Sequence, residues 1–528
     1  MGRAVLRQAN LDPNGSTSSA TATLPVETNG GALRVWGAFV LLMLLVTTPI
    51  FSTVLPPLFD YPNHLARMHL LAEGGNAFYT VQWAPLPNLA QDLIVPPLAR
   101  IMPLEIASKV FLVATFGLIA GGAVSLNRVA TGAWRMWPLL AFLLLYNRTF
   151  LWGFLNYLFG LGVALTSTAL WFALEHKQVW LRALASTFGA LACYLSHIAA
   201  FGFYAVVIAG VELSPALAEL RSHYWHALGR RITIVAAQFV LPAMLFFAYG
   251  RQPVGSSISY AAWWRKADLL FSAFDNYNRA VDVGCFVLFL VLLGWLAWTQ
   301  RLRLVPRLGW AVCIVFVIYL LLPSRIHGGS GLDHRLPVAI WLLLMGGTAP
   351  CFREQRTALA IGIMAAMLLV IRLAVIEHVW LRADRIYSAD LIGIDALPEG
   401  ARFAVALPKN ATHLVPVPEV HLPALAVARR DVFVPTLFAY AGQQPISFNP
   451  SFAALAAAAT PERLWSALVA GDSAEMALLP VLQQYDFIVI TGDGTVALRP
   501  SACFGRFFQQ PTFQIVKVLH DPGCADHY

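Results

Sequence analysis

Residues 35–67 decide the fold: VWGAFVLLMLLVTTPIFSTVLPPLF, from Val35 to Phe59, then Asp60-Tyr61-Pro62-Asn63-His64-Leu65-Ala66-Arg67. The first segment carries no charge. At ~1.5 Å per residue a helix of that length exceeds the ~30 Å hydrocarbon core of a bilayer. It is too long for a signal-peptide core, and no small-x-small cleavage pattern follows it. A retained signal anchor is expected. Asp60 then stands where the low-dielectric core meets water. A carboxylate is costly there if unpaired, and well placed for chemistry on a lipid head group.

Outward from this stretch the same pattern recurs. Of 528 residues, 58% are apolar and 12% charged, about half the charged share of a soluble protein. Uncharged runs follow at Val110–Leu126, Thr149–Leu174, Ala183–Val211, Ile232–Gly250, Val283–Gln300, Leu308–Ser324 and Leu336–Phe352. Met136–Tyr146 is a short candidate. The last run starts at Thr357 and contains Arg372. Ala183–Val211 is long and holds His197 and Gly202, so it reads as one span or as two short ones. Short basic loops separate the runs, for example Arg221, Arg230 and Arg231, or Arg301, Arg303 and Arg307. With the N-terminus in the cytoplasm, about eleven crossings put every such loop inside; about nine is the alternative. Both arrangements leave Asp60, the 251–280 and 325–335 loops and the C-terminus outside. The formal charge of +8 belongs to these loops, where it orients spans and meets anionic lipid, and it does not imply nucleic acid.

The division expected is a disordered cytoplasmic tail over 1–33, a transmembrane domain over 34–384 with a first outer loop at 56–104, and a soluble extracytoplasmic α/β or α+β domain over 385–528. In the last region, Ala401–Leu407, Val432–Phe438, Tyr485–Thr491, Thr495–Leu498 and Phe513–Leu519 read as strands. Pro461–Val469 reads as a helix capped by Thr460. No phosphate-binding glycine loop and no catalytic triad occurs there. Of six cysteines, Cys503 and Cys524 lie in this region and form a candidate disulfide in an oxidising compartment. No CxxC or CxxH spacing suggests zinc.

Two outer segments concentrate polar groups. Pro62 suits the first turn of a short helix on which Asp60, His64 and Arg67 share a face, while Leu65, Met68 and Ala72 share another. That polar face could join a base to a phosphate-holding cation. Asp60 could equally be only a helix cap. Asp92, in the same outer loop, is a loop residue or a second acid. The second segment, Arg325-Ile326-His327-Gly328-Gly329-Ser330-Gly331-Leu332-Asp333-His334-Arg335, offers guanidinium donors suited to phosphate or pyrophosphate. Arg325, His327, Asp333 and Arg335 are its candidate substrate contacts; the arginines could instead mark span ends. Trp263 and Trp264 fit the interfacial aromatic belt or a sugar-stacking role.

Many spans, an Asp soon after the first, a long first outer loop and an outer C-terminal region together resemble the GT-C superfamily of membrane glycosyltransferases. The resemblance is most specific at Phe59-Asp60-Tyr61-Pro62-Asn63-His64. No WWD-type signature accompanies it, since Trp263-Trp264 is followed by Arg265. The resemblance implies a sugar donor carried on polyprenyl phosphate, a glycan or lipid acceptor, and a place in a bacterial inner membrane with chemistry at the periplasmic face. It implies Asp60 as general base. A divalent metal, Mg2+ or Mn2+, stays open, with Asp60 and Asp92 as possible oxygen ligands. A transporter or flippase for a lipid-linked molecule, and a non-catalytic membrane scaffold with a periplasmic binding domain, are the rival readings.

Overall fold

The computed structural model describes residues 29–250, 258–326, 329–408, 418–458, 460–470, 479–491 and 503–520. His327, the Thr495–Leu498 strand expectation and Cys524 lie outside the described residues, whereas Cys503 is buried. The protein is a helical membrane protein: among the described residues, eight helices are long and apolar enough to cross a bilayer. The first candidate span, Gly30–Ser52, is followed by Leu104–Thr131, Leu155–Ala173, Val179–Ser196, Ile198–Arg221, Trp225–Tyr249, Arg279–Trp298 and Gln355–Asp395. Pro306–Leu321 is a shorter apolar helix, and Leu332–Gly347 packs beside it.

Helix packing uses small residues, as expected where lipid supplies no hydrophobic drive between helices. Leu104–Thr131 and Leu155–Ala173 meet at Gly122 and Gly162. A Cβ on Gly162 would lie 2.7 Å from the Leu118 Cβ, and one on Gly122 2.9 Å from the Leu165 Cβ. Alanine at either position would push the two backbones apart.

Several apolar runs divide differently from their hydropathy. Ala183–Val211 breaks at His197, whose extended backbone separates Val179–Ser196 from Ile198–Arg221 and whose ring accepts from the Ala199 N–H at 3.0 Å. Met136–Tyr146 holds a buried 3-10 helix, Trp137–Leu144. Trp137 Nε1 bonds Thr348 Oγ1 at one end of the bundle, while Arg148, just beyond the segment, pairs with Asp275 near the other. The segment thus runs through the protein interior, where non-α backbone can be satisfied by neighbouring groups. Thr149–Leu174 is not one helix: Arg148–Leu151 ends at Trp152-Gly153, and Leu155–Ala173 starts after it.

Gln355–Asp395 has 41 residues and so runs ~60 Å, twice the bilayer core. Its far end reaches a four-stranded sheet in the order Phe504–Gln509, Phe513–Val518, Phe487–Thr491, Phe403–Ala406, with the last pair parallel. Thr460 caps Pro461–Trp465 through the Arg463 N–H. Val432–Phe438 is not a strand; Phe433 makes only an isolated bridge to Arg402. The 56–104 loop joins this region directly. Tyr79–Val81 pairs antiparallel with Ile446–Phe448, and the Tyr79 hydroxyl donates to the Val434 carbonyl at 2.9 Å. Phe78 and Tyr79 pack on Phe433 in the same core.

Candidate functional site

Asp60 precedes the helix Tyr61–Glu73, which has Pro62 in its first turn. Its backbone takes a helical conformation, and its side chain makes no capping hydrogen bond. The backbone alone starts the helix: the Asp60 carbonyl accepts from His64 N–H at 3.0 Å, and the Asp60 N–H donates to the Trp152 carbonyl at 3.3 Å. Phe59 N–H donates to the Leu151 carbonyl at 2.9 Å. Two main-chain bonds thus fix Asp60 against the Trp152-Gly153 turn and leave its carboxylate without a structural task.

Gly153 makes that approach possible. Its φ is +89°, and a Cβ there would lie 2.8 Å from the Asp60 Cβ. Any side chain meets both a backbone conflict and a clash. His64 points the same way, with Nε2 2.9 Å from the Gly153 carbonyl oxygen. Burial, assisted by the Arg67 charge, pushes its pKa down to about 3. His64 is therefore neutral, donates through Nε2, and leaves a buried Nδ1 without a partner among the described residues.

Across from Asp60 stands His421, which sequence reasoning missed. Its Nε2 is 3.6 Å from Asp60 Oδ1, beyond hydrogen-bond range. Its ring meets Phe59 and Phe438 edge-on at 4.7 and 5.2 Å between centroids. Burial lowers its pKa to about 4, so it is neutral near pH 7. The Asp60 side chain is 16% exposed. Burial raises its pKa to about 7, against the opposing pull of the Arg67 and Arg335 charges. The site is a nearly closed acid beside the neutral His421 imidazole, with His64 on the adjoining Gly153 carbonyl and cationic charge within electrostatic reach.

The other expected residues divide. Arg67 is committed to Asp92: Nε to Oδ1 is 2.8 Å and Nη2 to Oδ2 is 3.3 Å, with side-chain exposures of 1% and 0%. Its guanidinium acts on Asp60 at a distance and is not open to a ligand. Asp92 is correspondingly not a free acid, and its pairing with Asp60 as a metal-ligand set does not form. Burial raises the Asp92 pKa and Arg67 opposes that. Among the described residues no group of three or more His, Cys, Asp or Glu is placed to hold a metal ion. Asn156 holds the loop ahead of Asp92 by accepting from Gln91 N–H at 2.8 Å and donating to the Asn88 carbonyl at 2.8 Å.

The Arg325–Arg335 segment also separates. Arg325 is exposed on a small strand pairing with Ser259 and Ser330. Asp333 is fully buried and bound to Lys266 Nζ at 2.9 Å and Ser324 Oγ at 2.7 Å, which makes it an anchor for the Trp263–Phe271 helix. Arg335 belongs to the first turn of Leu332–Gly347, not to a loop. It donates to the Gly331 carbonyl at 2.8 Å and lies over the Phe154 ring at 4.4 Å. Phe154 follows Gly153, so Arg335 and Asp60 flank one turn. Gly153 had a sequence signal, a Trp-Gly-Phe interruption beside Asn147 and Arg148 in an apolar run. His421 had none: it is distant in sequence and embedded in an apolar stretch. No protein-family model and no curated protein matches the sequence.

Proposed function

We propose that the protein is a membrane glycosyltransferase that moves a sugar from a polyprenyl-phosphate donor to an envelope glycan or lipid acceptor, with Asp60 as general base. One observation carries this reading. Asp60 is held by its main chain, excused from capping, and nearly buried with a pKa of about 7. A carboxylate whose pKa lies near the working pH is suited to take a proton from a hydroxyl. The acceptor O–H proton passes to an Asp60 oxygen as the acceptor oxygen forms its bond to the anomeric carbon. The bond from that carbon to the phosphate oxygen breaks, and its electron pair leaves with the phosphate. Arg335, across the Trp152–Phe154 turn, is the cation nearest in role to the departing charge. Single displacement inverts the anomeric centre.

The chain would lie in a bacterial inner membrane with a cytoplasmic N-terminus and about eleven passes, counting the buried 136–146 segment. Asp60, Arg335 and the 385–528 domain would then face the periplasm. The transport reading loses support from the position of the charged groups. Asp282, which pairs with the buried Arg372, sits in the first turn of its helix.

The test uses purified full-length protein, radiolabelled polyprenyl-phosphate sugars and candidate acceptors. Wild type is expected to transfer label. Asp60→Asn keeps the shape and removes the base, and should lower the rate by about 10²- to 10⁴-fold. Full activity in a folded Asp60→Asn protein would remove Asp60 from the chemistry.

A further inference from the structure

At the opposite end of the bundle from Asp60, five helix ends meet around Glu212. Its carboxylate accepts from Trp171 Nε1 at 2.7 Å, Arg307 Nη2 at 2.7 Å and Arg182 Nη2 at 3.4 Å, and also pairs with Arg231. Arg231 reaches Glu219 at 2.6 Å, and Arg307 reaches Glu175 at 2.8 Å. Three arginines and three glutamates balance, so this core is neutral. Beside it opens a cavity of about 230 Å³. Lys177 and Arg230 line it as well, are exposed, and have no ion-pair partner within 4 Å among the described residues.

We propose that this cavity binds the phosphate of an anionic lipid, held by Lys177 and Arg230. Two further features favour an anion. Val179 and Ala227 belong to the first turns of Val179–Ser196 and Trp225–Tyr249, and both line the cavity. Two helix N-termini therefore open on it, where unsatisfied N–H groups and the positive end of the dipole attract negative charge. The carboxylates are no obstacle to this polarity, because Glu212, Glu219 and Glu175 are each neutralised by a bound arginine. The flanks favour lipid over free phosphate. Ile234 and Val179 give the cavity an apolar wall, and Trp180 and Trp225 beside it are 62% and 58% exposed, as aromatic side chains are at the head-group level. This site is independent of any reaction at Asp60.

Native mass spectrometry of the full chain in detergent tests it, with phosphatidylglycerol, phosphatidylcholine and inorganic phosphate titrated separately. Wild type should retain phosphatidylglycerol in preference to phosphatidylcholine. Lys177→Ala/Arg230→Ala should weaken phosphatidylglycerol by about 30-fold, at about fivefold per cation. Lys177→Arg/Arg230→Lys should restore it. Both positions are exposed and unpaired, so neither variant strands a buried charge, and an unchanged thermal unfolding midpoint checks the fold. Equal retention by wild type and the double alanine variant overturns the site. Inorganic phosphate binding as tightly as phosphatidylglycerol overturns the lipid as its occupant.

Discussion

The two ends of the helix bundle treat buried carboxylates in opposite ways. Glu212 gathers an indole N–H and three guanidinium groups. Among the described residues the Asp60 carboxylate has no hydrogen-bonded side-chain partner; a neutral imidazole, His421, stands 3.6 Å away. Around Asp60, the Nδ1 atoms of both His64 and His421 are buried and have no partner among the described residues. Unsatisfied buried polar atoms cost free energy, and folding tends to remove them unless something else uses them. A saturated carboxylate is a joint between helices. An unsaturated one, fixed by its backbone, is available for chemistry.

Exchanging each carboxylate for its amide breaks this contrast if it is wrong. Asp60→Asn should fail on transfer and leave the thermal unfolding of the detergent-purified protein close to wild type. Glu212→Gln should fail on unfolding, losing about 1–3 kcal/mol, because part-buried Arg182 loses its carboxylate and the charge-assisted bonds from Arg231 and Arg307 are weakened, although those two keep Glu219 and Glu175. A Glu212→Gln protein as stable as wild type would show that the cluster is ornamental to the fold.

Gly153→Ala comes next in size. The substitution forces a side chain into φ +89° and into the Asp60 Cβ, a conflict of about 1–3 kcal/mol. Relief would shift Asp60 and the turn that carries Phe154 and, through it, Arg335. A misplacement near 1 Å costs about 100-fold in rate. The rate should fall by that order while donor binding, measured separately by retention of labelled lipid, changes little. If Gly153→Ala transfers label at the wild-type rate, the turn does not position the base.

The membrane character of the chain was legible from hydropathy, because apolar length is a one-dimensional property. So were the Tyr61 helix with Pro62 in its first turn, the Thr460 cap, and the strands at Phe403–Ala406, Phe487–Thr491 and Phe513–Val518, all of which depend on local residue preferences. Val432–Phe438 carries β-branched and aromatic residues, yet Pro435 lacks the N–H a ladder needs, and the segment stays a connection. The pairings were not legible. Arg67 faces Asp60 by helical spacing, but its geometry goes to Asp92, which is brought in by a separate helix, Ala90–Ala99. Asp333 is spoken for by Lys266, 67 positions away. His421 reaches Asp60 because the 422–430 segment, directly after it, packs on the Tyr61–Glu73 helix, while Tyr79–Val81 and Ile446–Phe448 pair alongside. Strands of three residues joining such distant segments leave no periodic trace.

The smallest effect is also the most specific to the Asp60 end. A general base works deprotonated, so kcat/KM should rise about tenfold per pH unit up to a limb near 7, where burial has moved the Asp60 pKa. The groups facing Asp60 sort by charge. His64 and His421 are neutral across this window, their pKa values being about 3 and 4. Arg67 and Arg335 are the cations that hold the limb down. Arg335→Gln removes one of them, and the limb should move to higher pH whatever happens to the maximal rate. His421→Phe removes a neutral ring of similar shape, and the limb should stay in place. A limb near 4 in wild type would mean that Asp60 titrates as a solvated acid. A limb that moves with His421→Phe but not with Arg335→Gln would transfer electrostatic control of the base from the Leu332–Gly347 helix to the region carrying His421.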